Sequence, residues 1–489
     1  MPRAPTKVPR NRSTRNVGGP GRRLDRALRP RRSARGGSSC AACPCGLDSS
    51  ARSGGRGPNP RGRPMLVRRQ LLPLLVRRRL LLLFFAAFAL RVAAVLVIRE
   101  YERPNTWESG MVADALLRGH GFAIDWRTML GTPPEPNVAS TWWPPAYPLF
   151  LAACRLAAPA SPWLLASILQ AALLALVSVL LYHTGRLLFG ETAGWIAALY
   201  AVLQPSLSGY AALIQTAAFE IFWLSLALFL ATRAMTGAPR LARRDAFLAG
   251  LAAAVGALTR GPVLFLLLIA PIAWLAARLG ARRVLSLAAL LLAGAALLLG
   301  PWAARNYHVR GTFILLSSKG GWNLFMGNNP VPALSTPWDQ KRAIQPPLRE
   351  ELMRMNEVEG NRALRRLALD YVRAHPRETL QNVMGRAKHV FWFNEEFGKR
   401  SGYSSVLGKV TRPVYMVTWP ILLVLALAGV VLTAGDWRRL VLYYGMIAAI
   451  AGVILLTFFQ NRFRAPLEPI LILFAAAALA KLRARLVRR

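Results

Sequence analysis

Residues 80–122 read LLLLFFAAFALRVAAVLVIREYERPNTWESGMVADALLRGHGF. An almost unbroken apolar run over 80–98 gives way to a polar loop that opens a short helix. A helix needs about 20 apolar residues to cross a hydrocarbon slab of about 30 Å, so the run reads as a spanning helix. Nine further runs follow, at 163–182, 191–209, 211–232, 246–260, 262–277, 284–302, 414–433, 440–459 and 465–482. With 54% of the chain apolar, the pattern predicts an all-α polytopic membrane protein of about ten transmembrane helices. Only the Gly261-Pro262 step separates the short fifth and sixth runs, which predicts a tight turn or a kink.

Orientation follows from the Lys/Arg bias of the short loops. With a cytoplasmic amino terminus, the inside loops hold Arg186; Arg233, Arg240, Arg243 and Arg244; Arg278, Arg282 and Arg283; Arg438 and Arg439; and the tail KLRARLVRR. Both termini are then cytoplasmic, and two hydrophilic segments, 99–162 and 303–412, are extracytoplasmic. The expected layout is a basic tail over 1–64, a transmembrane half over 65–302 that includes the first outer loop, a cap region over 303–412, and C-terminal helices over 413–489. Within the first loop, 147–159 is too short to span and reads as an interfacial or re-entrant helix. Within the cap region, 348–393 carries apolar residues at helical spacing, broken at His375 and Pro376, and predicts a small helical cap.

The tail holds sixteen Lys/Arg against two Asp, mixed with Pro, Gly and Ser. Such a composition predicts disorder, and the lack of any aromatic residue for base stacking argues against nucleic acid as a partner. Met65 is a candidate start, because MLVRRQLLPLLVRRR supplies the positive flank of the first helix. Cys40, Cys43, Cys45 and Cys154 give no disulfide framework and no complete zinc set.

The chain has a formal net charge of +41, yet its first loop carries Glu102, Glu108, Asp114, Asp125 and Glu135. Five arginines, Arg91, Arg260, Arg305, Arg462 and Arg464, fall on the expected outer side, against the positive-inside trend. Each alone is explained by snorkelling or by pairing with a loop acid. Together with the acidic loop they predict a shared anionic ligand at that face. Glu108 opens the helical stretch WESGMVADALLRGHGF, which Gly119 and Gly121 end. At a helix start it either complements the helix dipole or serves as a base. Asp114 reads as a solvated or salt-bridged residue of the same helix. Signatures of nucleotide-binding loops, zinc proteases and serine hydrolases are missing, and the five histidines are dispersed. No metal and no cofactor is expected.

Four stretches carry a resemblance: WESGMVADALLRGHGF; WWPPAYPLFLA with Tyr147; GPWAARNYHVRGTFILLSSKGGWNLFMGNNP with Arg305, Lys319 and Asn328; and NRFRAPLEPILI with Arg462, Arg464 and Glu468. In this order they resemble the GT-C superfamily of integral-membrane glycosyltransferases. The similar branch contains protein O-mannosyltransferases and lipid A aminoarabinose transferases (glycosyltransferase family 39 type). The resemblance covers most of the chain from residue 80 onward. It implies an inverting transfer of a hexosyl or pentosyl unit from a polyprenyl-phosphate carrier to an acceptor hydroxyl on a glycan, lipid or protein. The setting it implies is the outer face of a bacterial cytoplasmic membrane, in the building of the cell envelope. In these terms Glu108 is the base. Arg260, Arg305, Lys319, Arg462 and Arg464 are the lipid-phosphate contacts, and Arg91, Asp114, Tyr147, Glu220, Asn328 and Glu468 are further candidates.

The chain departs from the branch at three places. Trp107 stands where many relatives carry an Asp before the Glu. Gln215 and Thr216 stand near the outer end of the fourth span, where relatives often carry an acid, with Glu220 one turn deeper. Trp142-Trp143 precede the Pro-Pro step without the Glu-Lys of aminoarabinose transferases, which argues against that substrate. The alternative readings are a lipid or solute transporter or flippase, and a non-catalytic membrane scaffold of the same fold. The single Gly-Pro break without a counterpart in a second half argues against the transporter.

Overall fold

The ten apolar runs fall largely on helices, with breaks at Pro205 and Gly261-Pro262 and a further one at 213–216. The computed structural model describes residues 63–133, 138–332, 343–391 and 405–487. The expected disordered tail, its cysteine cluster and Glu135 lie outside these residues. The first elements are α1 (Arg63–Ile98), α2 (Trp107–Leu117), α3 (Ala146–Ala157), α4 (Pro162–Phe189), α5 (Glu191–Leu203), α6 (Pro205–Ala212), α7 (Ala217–Thr236), α8 (Pro239–Ala257), α9 (Leu266–Ala276) and α10 (Ala281–Arg310). Then come α11 (Gly320–Gly327), α12 (Leu348–Met353), α13 (Glu357–Ala374), α14 (Pro376–Phe391), α15 (Ser405–Leu432), α16 (Trp437–Leu456), α17 (Asn461–Arg464) and α18 (Leu467–Val487). Short 3-10 turns join several of them, and the only β-pairing among the described residues is one bridge between Ala123 and Ala139. The fold is therefore nearly all helical.

Among the described residues, five helices are long and apolar enough to cross a membrane: Val76–Ile98, Pro162–Phe189, Ala217–Thr236, Ala281–Arg310 and Ala434–Leu456. The other five expected runs are helical but shorter, interrupted or more polar. Pro205 splits 191–209 into α5 and α6, because it cannot donate the helical hydrogen bond its position requires. The Gly261-Pro262 step closes α8 and starts a 3-10 turn over Gly261–Phe265 that leads into α9. The run 246–260 lies in α8, whose first turns carry Arg240, Arg243 and Arg244, and 465–482 lies in α18, which ends in Lys481, Arg483 and Arg485. The 414–433 run lies in α15, of which Met416–Leu432 counts as a shorter apolar helix.

Close packing sets the positions of these helices. Gly250 of α8 lies against the Leu291 carbonyl of α10, and Gly294 of α10 lies against the Phe247 carbonyl of α8. A Cβ at either position would collide with backbone, so the two glycines let the helices touch, as small residues do between membrane helices. Away from this bundle, Trp126, Trp142, Trp322, Phe325, Leu352, Leu364 and Phe458 form one aromatic and aliphatic core. This core joins the first loop to the region expected as a cap, and Trp142, Trp322 and Phe458 of it line a cavity.

Candidate functional site

A cavity of about 640 Å³ opens beside the first turn of α2. Its polar lining includes Glu108, Arg260, Lys319 and Arg462, with Thr259 and Gln215. Its apolar lining includes Ile450, Val453 and Ile454 on one face of α16, together with Phe265 and Phe463. One carboxylate from the first loop thus faces three cations from three distant segments.

Each group is placed by its own local chemistry. Glu108 is in the first turn of α2, behind Thr106. Gly110 lies so close to the Thr106 hydroxyl that a Cβ there would force it away. Left-handed Gly119 (φ 81°) and Gly121 (φ 69°) stop the helix, at positions that favour glycine. The Asp114–Arg155 ion pair, with Arg155 over the Trp163 ring at 5.7 Å, fixes α2 against α3. Among the described residues, Glu108 itself forms no hydrogen bond and no ion pair, and its charge is felt at Lys319 and Arg462.

Arg260 follows α8 in extended backbone (φ −154°, ψ 132°). Its guanidinium lies 3.8 Å above the Phe463 ring and donates to buried Glu220 at 3.2 Å. Arg462 shares the Phe463 ring at 5.7 Å and donates Nε to Gln460 at 2.8 Å. The Lys319 ammonium lies 3.9 Å from the Trp143 ring centroid and 5.7 Å from that of Trp142. Aromatic faces attract cations but do not neutralise them, so the positive charge stays available to a ligand. Burial holds Lys319 down at about 8, with Glu108 opposing the shift and Arg462 and Arg260 adding to it. Burial also brings Arg462 down to about 10, and repulsion from Arg260 adds to it while Glu108 opposes.

Of the remaining sequence candidates, Tyr147 is in the lining of this cavity and the others are not. Arg305 and Arg464 were expected to border it together with Glu108 and Arg260, and neither lines it. Arg305 gives its guanidinium to the carbonyls of Ser140 and Phe122 and lies over the Trp302 ring. Arg464, fully buried, donates to the carbonyls of His389 (3.1 Å) and Val390 (3.3 Å) and lies 4.2 Å above the Trp419 ring. Arg91 is buried in the bundle on the carbonyls of Ala87 (3.0 Å) and Ala201 (2.9 Å). Such carbonyl contacts secure segments and leave less of the cation for a ligand.

Tyr147 lines the cavity and donates to Gln170 at 2.8 Å. Gln170 in turn holds the carbonyls of Ala211 and Leu213, fixing the turn that brings Gln215 and Thr216 to the wall. Asn328 donates to the carbonyls of Leu324 and Leu456, both at 2.8 Å. Glu468 accepts from Ser206 and Gln204 and pins the α5–α6 break to α18. Asn328 and Glu468 hold backbone near the cavity without lining it.

Sequence reasoning missed Glu357. It is 1% exposed and accepts from five donors. These are the Ser140 hydroxyl (2.9 Å), the Thr141 N–H (2.7 Å) and hydroxyl, the Ser318 hydroxyl (3.0 Å) and the Arg310 guanidinium (2.9 Å). It thereby ties the strap before Trp142-Trp143 to the loop before Lys319. The legible signal was the Asn356-x-x-Glu359 capping box, which marks Glu357 as the first residue of a helix. Among the described residues no group of three or more His, Cys, Asp or Glu is placed to hold a metal ion.

In structure the chain is similar to the oligosaccharyltransferase of Archaeoglobus fulgidus in several solved forms. The complex with zinc and sulfate gives a TM-score of 0.46 at 14% identity, over 81% of this chain and 49% of that chain. The form tethered to an acceptor peptide containing the NVT sequon gives 0.47 at 18% identity, over 82% and 50%. The complex with an inhibitory peptide and a dolichol-phosphate gives 0.46 at 15% identity, over 82% and 50%. The chain thus spans about half the length of these structures. No protein-family model and no curated protein matches it.

Proposed function

We propose that the chain is a membrane glycosyltransferase that moves a sugar from a polyprenyl-phosphate carrier to an acceptor hydroxyl with inversion. The observation that carries this reading is the meeting of Glu108 with Arg260, Lys319 and Arg462 in the lining of one cavity that also carries the apolar side chains Ile450, Val453 and Ile454 of α16. The four sequence stretches that resemble the GT-C superfamily supply three of these four residues and support the same reading.

In the proposed reaction, the Glu108 carboxylate takes the proton of the acceptor hydroxyl. The freed oxygen attacks the anomeric carbon on the face opposite the carrier. The bond from that carbon to the phosphate oxygen breaks, and its electron pair leaves with the lipid phosphate. Arg260, Lys319 and Arg462 stabilise the charge that gathers there, as preorganised cations in a water-poor site do. Glu220 keeps Arg260 in place, which assigns it a supporting role. The apolar α16 wall suits the first units of a prenyl chain. The reading places the reaction on the extracytoplasmic face of a bacterial cytoplasmic membrane, with no metal in the chemistry assigned to these residues.

The test is mass analysis of lipid co-purifying with the detergent-solubilised protein. A polyprenyl-phospho-sugar, retained by the wild type and depleted in an Arg260→Ala, Lys319→Ala double variant, is expected. Ordinary phospholipid alone in the wild type would overturn the donor assignment.

A further inference from the structure

α14 carries a stripe that the bundle does not cover. Leu380 and Met384 are each 62% exposed and Phe391 49%. At 100° per residue these three fall within about 40° of one another around the helix. Arg377, Gln381 and Lys388 share the exposed side, and the opposite side buries Arg386 and Val390. The helix is amphipathic, with its larger apolar side chains turned away from the protein.

Its depth is fixed by three contacts. Arg386 donates Nε to the Leu455 carbonyl at 2.8 Å, at the last turn of the spanning helix α16. The α14 carbonyls of His389 and Val390 accept from Arg464. Arg464 lies on the ring of Trp419, which belongs to α15. The stretch of α15 from Trp419 to Leu432 climbs about 20 Å at 1.5 Å per residue. The charged turn with Asp436, Arg438 and Arg439 follows Leu432. A hydrocarbon slab is about 30 Å thick, so the C-terminal end of α14 sits at a level where the slab continues. On α15 the neighbouring outward side chains Val417, Ile421, Val424 and Val431 are all exposed and apolar. The C-terminal end of the uncovered stripe, at Phe391, is therefore close in level to these exposed apolar side chains of α15.

We propose that α14 is an interfacial helix whose Leu380, Met384 and Phe391 lie among lipid acyl chains at the membrane face where α16 ends. Arg377 and Lys388 extend from the same side to lipid phosphates, as long cationic side chains do at this boundary. Because Arg386 joins α14 to the end of α16 and also donates to the Gly327 carbonyl, lipid contact braces the backbone that leads into the 457–463 wall of the cavity. The partner is the bilayer itself, and the proposal does not depend on the reaction assigned above.

The test uses the full chain with Cys40, Cys43 and Cys45 replaced by Ser and buried Cys154 retained. Single cysteines at positions 380, 384 and 391 are labelled with a polarity-sensitive fluorophore in phosphatidylcholine–phosphatidylglycerol vesicles. Position 424 of α15 serves as the lipid control and position 373 as the water control. Brominated phosphatidylcholine should quench the three α14 labels by about half or more, as at 424, and leave 373 unchanged. Quenching by aqueous iodide at 380, 384 and 391 to the level seen at 373 overturns the proposal. Cross-linking between copies through position 384, without bromolipid quenching, overturns it in favour of a second copy of the chain. Each variant is checked by size exclusion, and the three positions report independently of any one substitution.

Discussion

Replacing Glu357 by Gln tests how the first loop is locked to the rest of the site. The exchange keeps the shape and removes the charge. The Gln carbonyl can take the place of Oε1, which accepts from Thr141 and Ser318. Its amide then occupies the Oε2 position, where Ser140 and Arg310 now donate. The Ser140 hydroxyl can turn and accept, but the Arg310 guanidinium meets a donor at 2.9 Å. Breaking a buried ion pair by removing one partner costs about 3–5 kcal/mol. Arg310 keeps 17% of its side chain exposed and regains part of its hydration, so about 2–3 kcal/mol is expected. Ala should cost more, about 4–6 kcal/mol, because buried donors at Thr141 and Ser318 each add about 1–3 kcal/mol when left unpaired. Thermal unfolding in detergent, followed by tryptophan fluorescence from the adjacent Trp142 and Trp322 cluster, reads both values. The Glu357→Gln, Arg310→Met double variant should recover part of the loss, with a coupling of about 1–3 kcal/mol. A Gln variant within about 0.5 kcal/mol of wild type, or strictly additive single losses, would refute the assigned role of this carboxylate.

Three other outcomes follow from the same geometry. Glu108→Gln should lower sugar transfer in detergent by about 100-fold or more, the range for losing a general base, while co-purified donor lipid stays bound; unchanged transfer would remove Glu108 from the reaction. Lys319 is charged below about 8, so affinity for a polyprenyl phosphate should be retained at pH 7 and weaken by up to about tenfold one pH unit above that value. Lys319→Arg should flatten this decline because the guanidinium stays charged, and titration of tryptophan quenching by the lipid checks both. Gly294→Val should collide with the Phe247 carbonyl and destabilise the α8–α10 pair by about 3 kcal/mol, seen as loss of monodisperse protein in size exclusion.

Length and apolarity made the helices legible, since each apolar run had to satisfy its own backbone hydrogen bonds. Their interruptions were legible only where Pro or Gly announced them. The Gly261-Pro262 step was visible, whereas the Gln204-Pro205 break was hidden inside a run apolar enough to pass for one span. At the candidate site, charge against the topological trend pointed to arginines as a class. It could not separate Arg260 and Arg462, which line the cavity, from Arg305 and Arg464, which are held by carbonyls more than a hundred residues away in the first case and about 75 in the second. Which donors a guanidinium spends on backbone is decided by tertiary packing. Glu357 was missed for the same reason, because its five donors come from segments that only folding brings together.

The charge balance in the lining of the cavity narrows what it can hold. Glu108 faces Arg260, Lys319 and Arg462, and the only other carboxylate in this group, Glu220, stands behind Arg260 rather than at the lining. Even when Glu220 offsets Arg260, two cations remain against one exposed acid. An inorganic cation would enter against that surplus, and a neutral solute would leave it uncompensated. An anion satisfies it, and adds to Glu108 in offsetting the mutual repulsion of Arg260, Lys319 and Arg462. The same argument accounts for Lys319 lying against Trp143 and for Arg260 and Arg462 sharing the Phe463 ring, with the one carboxylate partner of Arg260, Glu220, set back from the lining. An aromatic face holds a cation in place with about 0.5–2 kcal/mol and leaves its charge to the phosphate of the proposed donor, whereas a fixed carboxylate at each position would cancel that attraction.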